Sequence, residues 1–499
     1  MKVLLINPGS EVKPKFNTYA VFPNGLLFLA AVLERAGHEV KVFDNVVDRR
    51  KPSDFVDFNP DLIGYSVLTG PDITQAIIQS QEFKALFPKA KIVWGNVHPS
   101  CTPEQTMAEN YIDYVIIGAG ETALLKLIER LETGTPKEAE IAGLAYRDNN
   151  QIIINERASE LKNLDELPDP AWHLIDVSKY WQISLNTSRG CPYRCTFCYN
   201  SAFHSGYRGD FSAERIIAQV EHLQQNYGVK FIRFFEDNFT FNRKRLHRFC
   251  ELIIEQRIKL KWDCEARADL SEKDVDLMAR AGCVSVGIGV ETGSMRILEF
   301  LKKDINLDDM LKSFWNVVRH RIMPRIYIME AIPTETIEDF SLTRKLLQKM
   351  GNTPYFYMRF VPYPNTPIYY YCIDQGLIKP PVKLADWPHF SFSLATQGNL
   401  SQVPTEIVNE AFTEYARTYA SRRVRFMWRY NKRFFLGLIK NPPQFWGAVK
   451  ELIKNTLPVM FNKNTSDSGI KPEDIRTKNL ADVQDKNATS PENSKNNPS

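Results

Sequence analysis

The sequence predicts two consecutive α/β domains, a doubly wound parallel sheet and then a partial, open (β/α)6 barrel, followed by a helical region and a disordered tail. Three observations predict it. Short β-branched runs alternate with helical stretches in two separate series. A proline-rich segment divides the two series, and the last stretch of chain lacks the apolar residues that a core needs. A chain of 499 residues also exceeds one average domain, and its 43% hydrophobic and 24% charged content is ordinary for a globular protein.

The first domain covers residues 1–145. Val3–Asn7 reads as its opening strand, and Gly25–Arg35 as an amphipathic helix stopped by Gly37, a residue suited to a left-handed helix end. Val40–Asp44 returns as the second strand. Asp61–Ser66, Lys91–Gly95 and Asp113–Gly118 continue the series, with helices expected at Asp72–Leu86 and Glu121–Leu131. Strands and helices in this alternation suggest a flavodoxin-like sheet. Residues 146–183 read as a connector, because Leu167-Pro168-Asp169-Pro170-Ala171-Trp172 suits no regular element.

The second domain covers residues 184–395. Its strands are expected at Ile183–Thr187, Phe231–Glu236, Lys261–Arg267, Cys283–Val290, Arg325–Ala331 and Tyr355–Val361, with helical crossovers between them, as in a partial TIM-like barrel. Residues 396–462 read as helical. Residues 463–499, rich in Asn, Lys, Ser, Asp and Pro, read as disordered.

A net charge of +4 is too small to argue for a nucleic-acid partner. No apolar run approaches the ~20 residues that span a bilayer. Met1–Asn7 reads as a strand and not as a signal peptide, so the expected location is the cytoplasm. In that reducing compartment eight cysteines do not imply disulfides. Three of them, Cys191, Cys195 and Cys198, fall within eight residues of one loop and point to a metal site. Thiolates so spaced can wrap an iron–sulfur cluster. The loop supplies only three ligands, which would leave one iron of a four-iron cluster open. A zinc site completed by His204 is the alternative.

The spacing Cys191-x3-Cys195-x2-Cys198, with the aromatic Phe197 before the last cysteine, resembles the signature of the radical S-adenosylmethionine (SAM) superfamily. The resemblance implies a 4Fe-4S cluster whose free iron binds SAM, and reductive cleavage of SAM to a 5′-deoxyadenosyl radical. It also implies a one-electron donor such as flavodoxin or ferredoxin. Phe197 corresponds to a residue whose backbone meets the adenine. Glu236, in Phe234-Phe235-Glu236-Asp237, corresponds to the acid that binds the SAM amino group, although the usual glycine pair is absent there. Arg267 is implied for the SAM carboxylate, Glu291 for the ribose and Ile332 for the adenine. Each could equally be a helix cap or a surface ion pair, but all stand at C-terminal strand ends, where barrels build active sites.

In the first domain the turns Asn7-Pro8-Gly9, Ser66–Gly70, Gly95–Pro99 and Gly118–Glu121 lie at C-terminal strand ends. Their small residues let a large flat ligand approach the backbone, or simply make tight turns. Together with Gly25–Asp44 they resemble the cobalamin-binding domain that precedes many radical SAM domains. The resemblance implies cobalamin contacts at Ser66, Thr69, Gly95, Val97, Gly118, Gly120 and Glu121. The Asp-x-His-x-x-Gly motif that supplies an axial histidine elsewhere is absent, and neither His38 nor His98 is assigned to cobalt.

The expected function is thus a cobalamin-dependent radical SAM methyltransferase acting on an unactivated carbon of a small-molecule or lipid-like substrate. The alternatives are a non-methylating relative, such as an anaerobic oxidative cyclase or a ring-forming enzyme, and a binding protein with a structural cluster. Tyr355, Tyr357, Met358, Arg359 and Tyr363 face the substrate cavity or pack the barrel. Residues 422–454 carry nine Lys/Arg against the single acid Glu451. Phe426, Tyr430 and Phe434 form a helical stripe beside Arg422, Arg425, Arg429 and Lys432, with Phe435, Phe445 and Trp446 beyond. Such a segment either lies at an anionic membrane surface or packs its aromatic face on the barrel.

Overall fold

Runs of apolar residues closed by turn residues build the first sheet: β1 Lys2–Asn7, β2 Glu39–Asp44, β3 Leu62–Ser66, β4 Lys91–Gly95, β5 Tyr114–Ile116, β6 Leu144–Asp148 and β7 Gln151–Ile154. The computed structural model describes all residues except 11–20, 49, 160, 162, 181, 205, 392–397 and 431–499. The strand order is β2-β1-β3-β4-β5-β6-β7. The first five strands are parallel in the flavodoxin order, so the topological switch lies between β1 and β3.

The antiparallel hairpin β6–β7 extends this sheet past the boundary expected at residue 145, which falls inside β6. Ala145 pairs with Val115, and Asn149 and Asn150 both take positive φ, as a tight two-residue hairpin turn demands. The first ten residues of the expected connector therefore belong in part to the sheet.

The second series gives β8 Ser184–Leu185, β9 Ser188–Arg189, β10 Gly209–Asp210, β11 Phe231–Phe234, β12 Lys261–Arg267, β13 Cys283–Glu291, β14 Met323–Glu330 and β15 Tyr355–Arg359. Six of these form an all-parallel sheet in the order β8-β11-β12-β13-β14-β15, while β9 and β10 pair separately. Its two free edges make it an open, partial barrel.

Side chains alternate across each strand. Ile232, Trp262, Cys264, Val286, Ile288 and Ile326 are buried outward against the helices. Between them Arg233, Glu265, Arg325, Tyr327 and Phe356 point to the other face and stay partly accessible. The inner face of the barrel is therefore polar and open.

The helix Thr405–Tyr430 covers the edge strand β15, with Tyr415 against Tyr355 at 5.6 Å and Tyr419 against Phe356 at 5.6 Å. Its last turns pack by their aromatic residues, Phe426 on Phe314 at 6.4 Å and Tyr430 on Trp315 at 5.7 Å. Over residues 422–430 the aromatic stripe thus packs on the barrel's helices. Lys432, Phe434, Phe435, Phe445, Trp446 and the tail 463–499 lie outside the described residues. Among the described residues no helix is long and apolar enough to cross a membrane.

After β15 the chain folds back on the first sheet. The short 3-10 helix Leu384–His389 buries Trp387, whose Nε1 donates to Gln105 Oε1 at 2.7 Å, in the apolar cluster of Ile63, Tyr65 and Trp94.

Candidate functional site

The cysteine loop leaves β9 and is anchored on both sides. Thr196 N donates to Leu301 O at 2.9 Å, and Ile368 N donates to Thr196 O at 3.2 Å. All three thiols are free and at least half-buried. Burial raises the Cys191 thiol and pushes Cys198 up to about 12, with Asp237 and Cys195 adding negative charge to both. Such thiols ionise only against a compensating positive charge, which a metal supplies. Asn200 Nδ2 donates to Cys198 Sγ at 3.7 Å, the type of contact that tunes a cluster sulfur.

Among the described residues no three His, Cys, Asp or Glu side chains converge on a point that one ion could occupy. A four-iron cluster makes a different demand, because each thiolate binds its own iron. The donor set fits that demand. The His204 ring packs edge-on to Phe203 at 4.5 Å.

Four of the five SAM candidates gather around the loop. Phe197 packs on the apolar cluster that contains Ile332, Met329 and Phe360. The Arg267 guanidinium stacks 3.9 Å from the Tyr193 ring and donates to Asp304 O at 2.6 Å. Glu291 accepts from Lys303 Nζ at 2.6 Å, both buried, and Lys303 lies 5.8 Å from the Phe197 ring. Burial would lower the Lys303 ammonium, but Glu291 and Cys195 reverse this and hold it above its ordinary value. Gly289 makes room for this pair, since a Cβ there would lie 2.4 Å from Glu291 Oε1.

Glu236 stands apart. Its Oε2 accepts from Thr187 N at 2.6 Å and from Thr187 Oγ1 at 2.9 Å, and its Oε1 accepts from Arg245 Nη2 at 3.0 Å. Both oxygens are engaged inside the protein. The neighbouring Asp237 instead meets the loop, accepting from Tyr199 Oη at 2.5 Å.

Sequence reasoning missed Lys303, Tyr193 and Asn200. Lys302-Lys303-Asp304 reads as an ordinary surface charge run until the chain folds it under the loop. It also missed the inner-face ladder of the barrel, for which a signal existed. The run Lys261-Trp262-Asp263-Cys264-Glu265-Ala266-Arg267 places charge at every second position of a strand expected to be buried on both faces.

In the first domain the candidates line the strand-end turns. Ser66 Oγ accepts from Asn96 Nδ2 at 2.9 Å, and Thr69 Oγ1 lies 3.1 Å from His98 Nδ1. The Gly95 carbonyl accepts from Val67 N, and Val97 N donates to Asn96 Oδ1. Gly118 takes φ +85°, and a Cβ there would lie 2.9 Å from the Arg157 guanidinium. Gly120 caps the helix Glu121–Thr133. His98 is fully buried against Trp387, and burial holds it neutral with a pKa of about 3.

Glu121 joins the two domains. Burial would raise its carboxyl, but Arg189 on β9 pairs with it at 2.5 Å and holds it below its ordinary value. Asn24 Nδ2 donates to Ser184 Oγ at 3.1 Å and Asn186 Oδ1 at 3.0 Å, and the helix Val97–Cys101 lies against Asn200–Phe203. The strand ends of the first sheet thereby adjoin the cysteine loop of the second.

A three-thiol loop at the mouth of an open parallel barrel, adjoined by the ligand-binding edge of a flavodoxin-type sheet, defines a radical SAM enzyme with a second cofactor domain. Comparison with known proteins agrees. Residues 185–347 match the radical SAM superfamily and residues 18–128 match the B12 binding domain. An uncharacterized methyltransferase of Pyrococcus horikoshii is 31% identical over 392 residues, spanning 76% of this chain and 84% of that protein. The chain therefore belongs to the cobalamin-dependent radical SAM family, whose cofactors are a 4Fe-4S cluster, SAM and cobalamin. An anaerobic magnesium-protoporphyrin IX monomethyl ester cyclase of Cereibacter sphaeroides is 23% identical, spanning 88% of this chain and 74% of that one. The fold is shared with the radical SAM methyltransferase TsrM of Kitasatospora setae, solved with cobalamin and a 4Fe-4S cluster, at TM-score 0.65, 19% identity and 75% of each chain.

Proposed function

We propose that this protein is a cobalamin-dependent methyltransferase that acts on an unactivated carbon. The carrying observation is the junction of the two domains, where Glu121–Arg189 draws the Gly118–Glu121 turn against the strand that leads into the cysteine loop. A methyl carrier and a radical generator must reach the same substrate carbon, and this junction brings their two binding edges together. When bound, the cluster and SAM supply one-electron cleavage to a deoxyadenosyl radical, and cobalamin supplies a methyl carrier.

The chain's own residues do the positioning. Cys191, Cys195 and Cys198 hold the cluster, and Asn200 donates to the Cys198 sulfur. Phe197 and Ile332 form the apolar side of the SAM pocket, and Glu291 faces the ribose with its charge balanced by Lys303. Arg267 holds the SAM carboxylate, oriented by its stack on Tyr193. Glu236 keeps the amino-group side in shape through Arg245 and Thr187. Ser66, Thr69, Gly95, Val97, Gly118 and Gly120 line the cobalamin edge, which Glu121 ties to the barrel. The electron comes from a low-potential donor such as flavodoxin or ferredoxin.

The second reading is a non-methylating cyclase or ring-forming enzyme, favoured by the likeness to the Cereibacter sphaeroides cyclase. Anaerobic reconstitution with iron, sulfide and cobalamin, followed by SAM and reductant, separates the two. Methyl transfer yields 5′-deoxyadenosine together with S-adenosylhomocysteine. Deoxyadenosine alone supports the cyclase reading, and the absence of both products removes the two together.

A further inference from the structure

We propose that the floor of the barrel, below the cysteine loop, anchors the substrate by its polar end, and that it takes a molecule with an apolar body ending in a hydroxyl or a protonated amine. The inference rests on the radical SAM reading above and names the substrate class for it.

The inner face of β12 forms a ladder of Asp263, Glu265 and Arg267. Arg267 stands at the top against Tyr193 of the cysteine loop. Glu265 lies two residues lower, about 7 Å down the strand at ~3.3 Å per residue. One of its oxygens, Oε1, accepts from Arg233 Nη2 at 2.8 Å, Arg325 Nη2 at 2.8 Å and Tyr327 Oη at 3.2 Å. Oε2 makes no hydrogen bond to any described residue and is not among the atoms sealed away from solvent. Gly287 opposite leaves the space it occupies, since a Cβ there would lie 1.7 Å from it. Nearby, Asp263 Oδ1 and Arg233 Nε are buried and face each other as an ion pair at 3.8 Å, too far apart for a hydrogen bond.

The chemistry of the free group selects the ligand. Burial would raise the Glu265 carboxyl, but Arg325 and Arg233 hold it below its ordinary value, so Oε2 is an ionised acceptor with nothing to donate. A ligand must bring the proton. A carboxylate or phosphate head would meet repulsion from Oε2 and would find Arg325 already engaged by Asp263, Ser285 and Glu265. The walls above are aromatic. Phe235, the next inner position after Arg233, is 46% exposed, and Tyr327 stacks on Phe356 at 5.6 Å. An ion-pair network built only for stability has no use for an accessible, unpaired carboxylate oxygen between two aromatic walls.

The test is equilibrium dialysis of the reconstituted full-length protein with 3-phenylpropan-1-ol, 3-phenylpropylamine and 3-phenylpropionate. The expected result is binding of the alcohol and the amine, and binding of the propionate weaker by about ten-fold or more, as the loss of a charge-assisted hydrogen bond implies. Glu265→Gln should weaken the amine by a similar factor. Equal binding of all three probes, binding of none, or amine binding unchanged in Glu265→Gln would each overturn the proposal. The comparison of probes on the unmodified protein decides the question even where the variant fails to fold. Assay of 5′-deoxyadenosine on the same unmodified preparation keeps the readings apart. Product without probe selectivity removes the anchor alone, and absence of product removes the radical SAM reading alone.

Discussion

The two parallel sheets of this chain differ in what they do with their faces. In β1 the consecutive residues Val3, Leu4, Leu5 and Ile6 are all buried, so the first sheet is dry on both sides. In β12 Trp262 and Cys264 are buried outward, while Asp263, Glu265 and Arg267 form a charged inner ladder. A sheet dry on both faces can receive a ligand only beyond its strand ends, which is where Ser66–Gly70 and Gly95–Val97 lie. A sheet with one polar face that curls on itself can enclose one. The difference leaves the edge of one sheet and the interior of the other as the two kinds of place where a ligand can lie.

The largest expected effect is at the junction of the two. Cys195→Ala should abolish the iron–sulfur absorbance and the iron content of protein reconstituted with iron and sulfide alone, and reduce deoxyadenosine formation to background. Retention of a full cluster would break the assignment of the loop.

Next comes the strap that seals the dry sheet. Trp387→Ala should cost about 3–5 kcal/mol, because a fully buried aromatic is removed from a packed cluster. Urea unfolding monitored by far-ultraviolet circular dichroism checks it. A loss below about 1 kcal/mol would mean that the segment does not close the first domain.

A pair of matched substitutions sharpens the contrast between faces. Gly287→Ala on the wet face puts a Cβ 1.7 Å from a carboxylate oxygen whose partner is held by two arginines. Gly64→Ala on the dry face meets only the flexible Leu5 Cδ2, at 3.0 Å. The first should cost about 1–3 kcal/mol and the second less, as overpacking against a fixed group is harder to relieve. Thermal melts of the two variants in parallel decide it, and equal losses would erase the distinction.

A further effect is on pH dependence. Burial raises Glu335, in the loop between β14 and the helix Ile337–Lys349, from 4.5 to about 8. The folded protein then keeps a proton that the unfolded chain releases, so stability falls as pH rises from about 4.5 towards 8. Glu335→Gln removes that slope. It should raise the melting temperature by a few degrees at pH 8 and leave it unchanged near pH 4. A gain of the same size at both pH values would show that packing, and not the proton, is responsible.

Much of this architecture was legible from local pattern. The strands of both domains follow from β-branched runs, and the cluster loop follows from three cysteines in eight residues. Phe197, Arg267, Glu291 and Ile332 were singled out as candidates because each ends a strand or follows the signature, and the structure brings them near one another. The engagement of Glu236 by Arg245 was not legible, since an acid at a strand end reads the same whether it faces a cofactor or a buried arginine. Neither was the hairpin β6–β7, because a two-asparagine turn just after the expected end of a domain looks like the start of a linker.

What the sequence determined by itself is most of the elements of the two sheets and the chemistry of the loop. Periodicity and cysteine spacing act over a few residues, and a local pattern survives whatever the rest of the chain does. What only the tertiary structure decided is which charges are free. Lys303 pairs with Glu291, Glu121 with Arg189 and Glu265 with Arg233 and Arg325 across separations that no pattern reports. A carboxylate in a low-dielectric interior is defined by its partners, and those partners are chosen by packing.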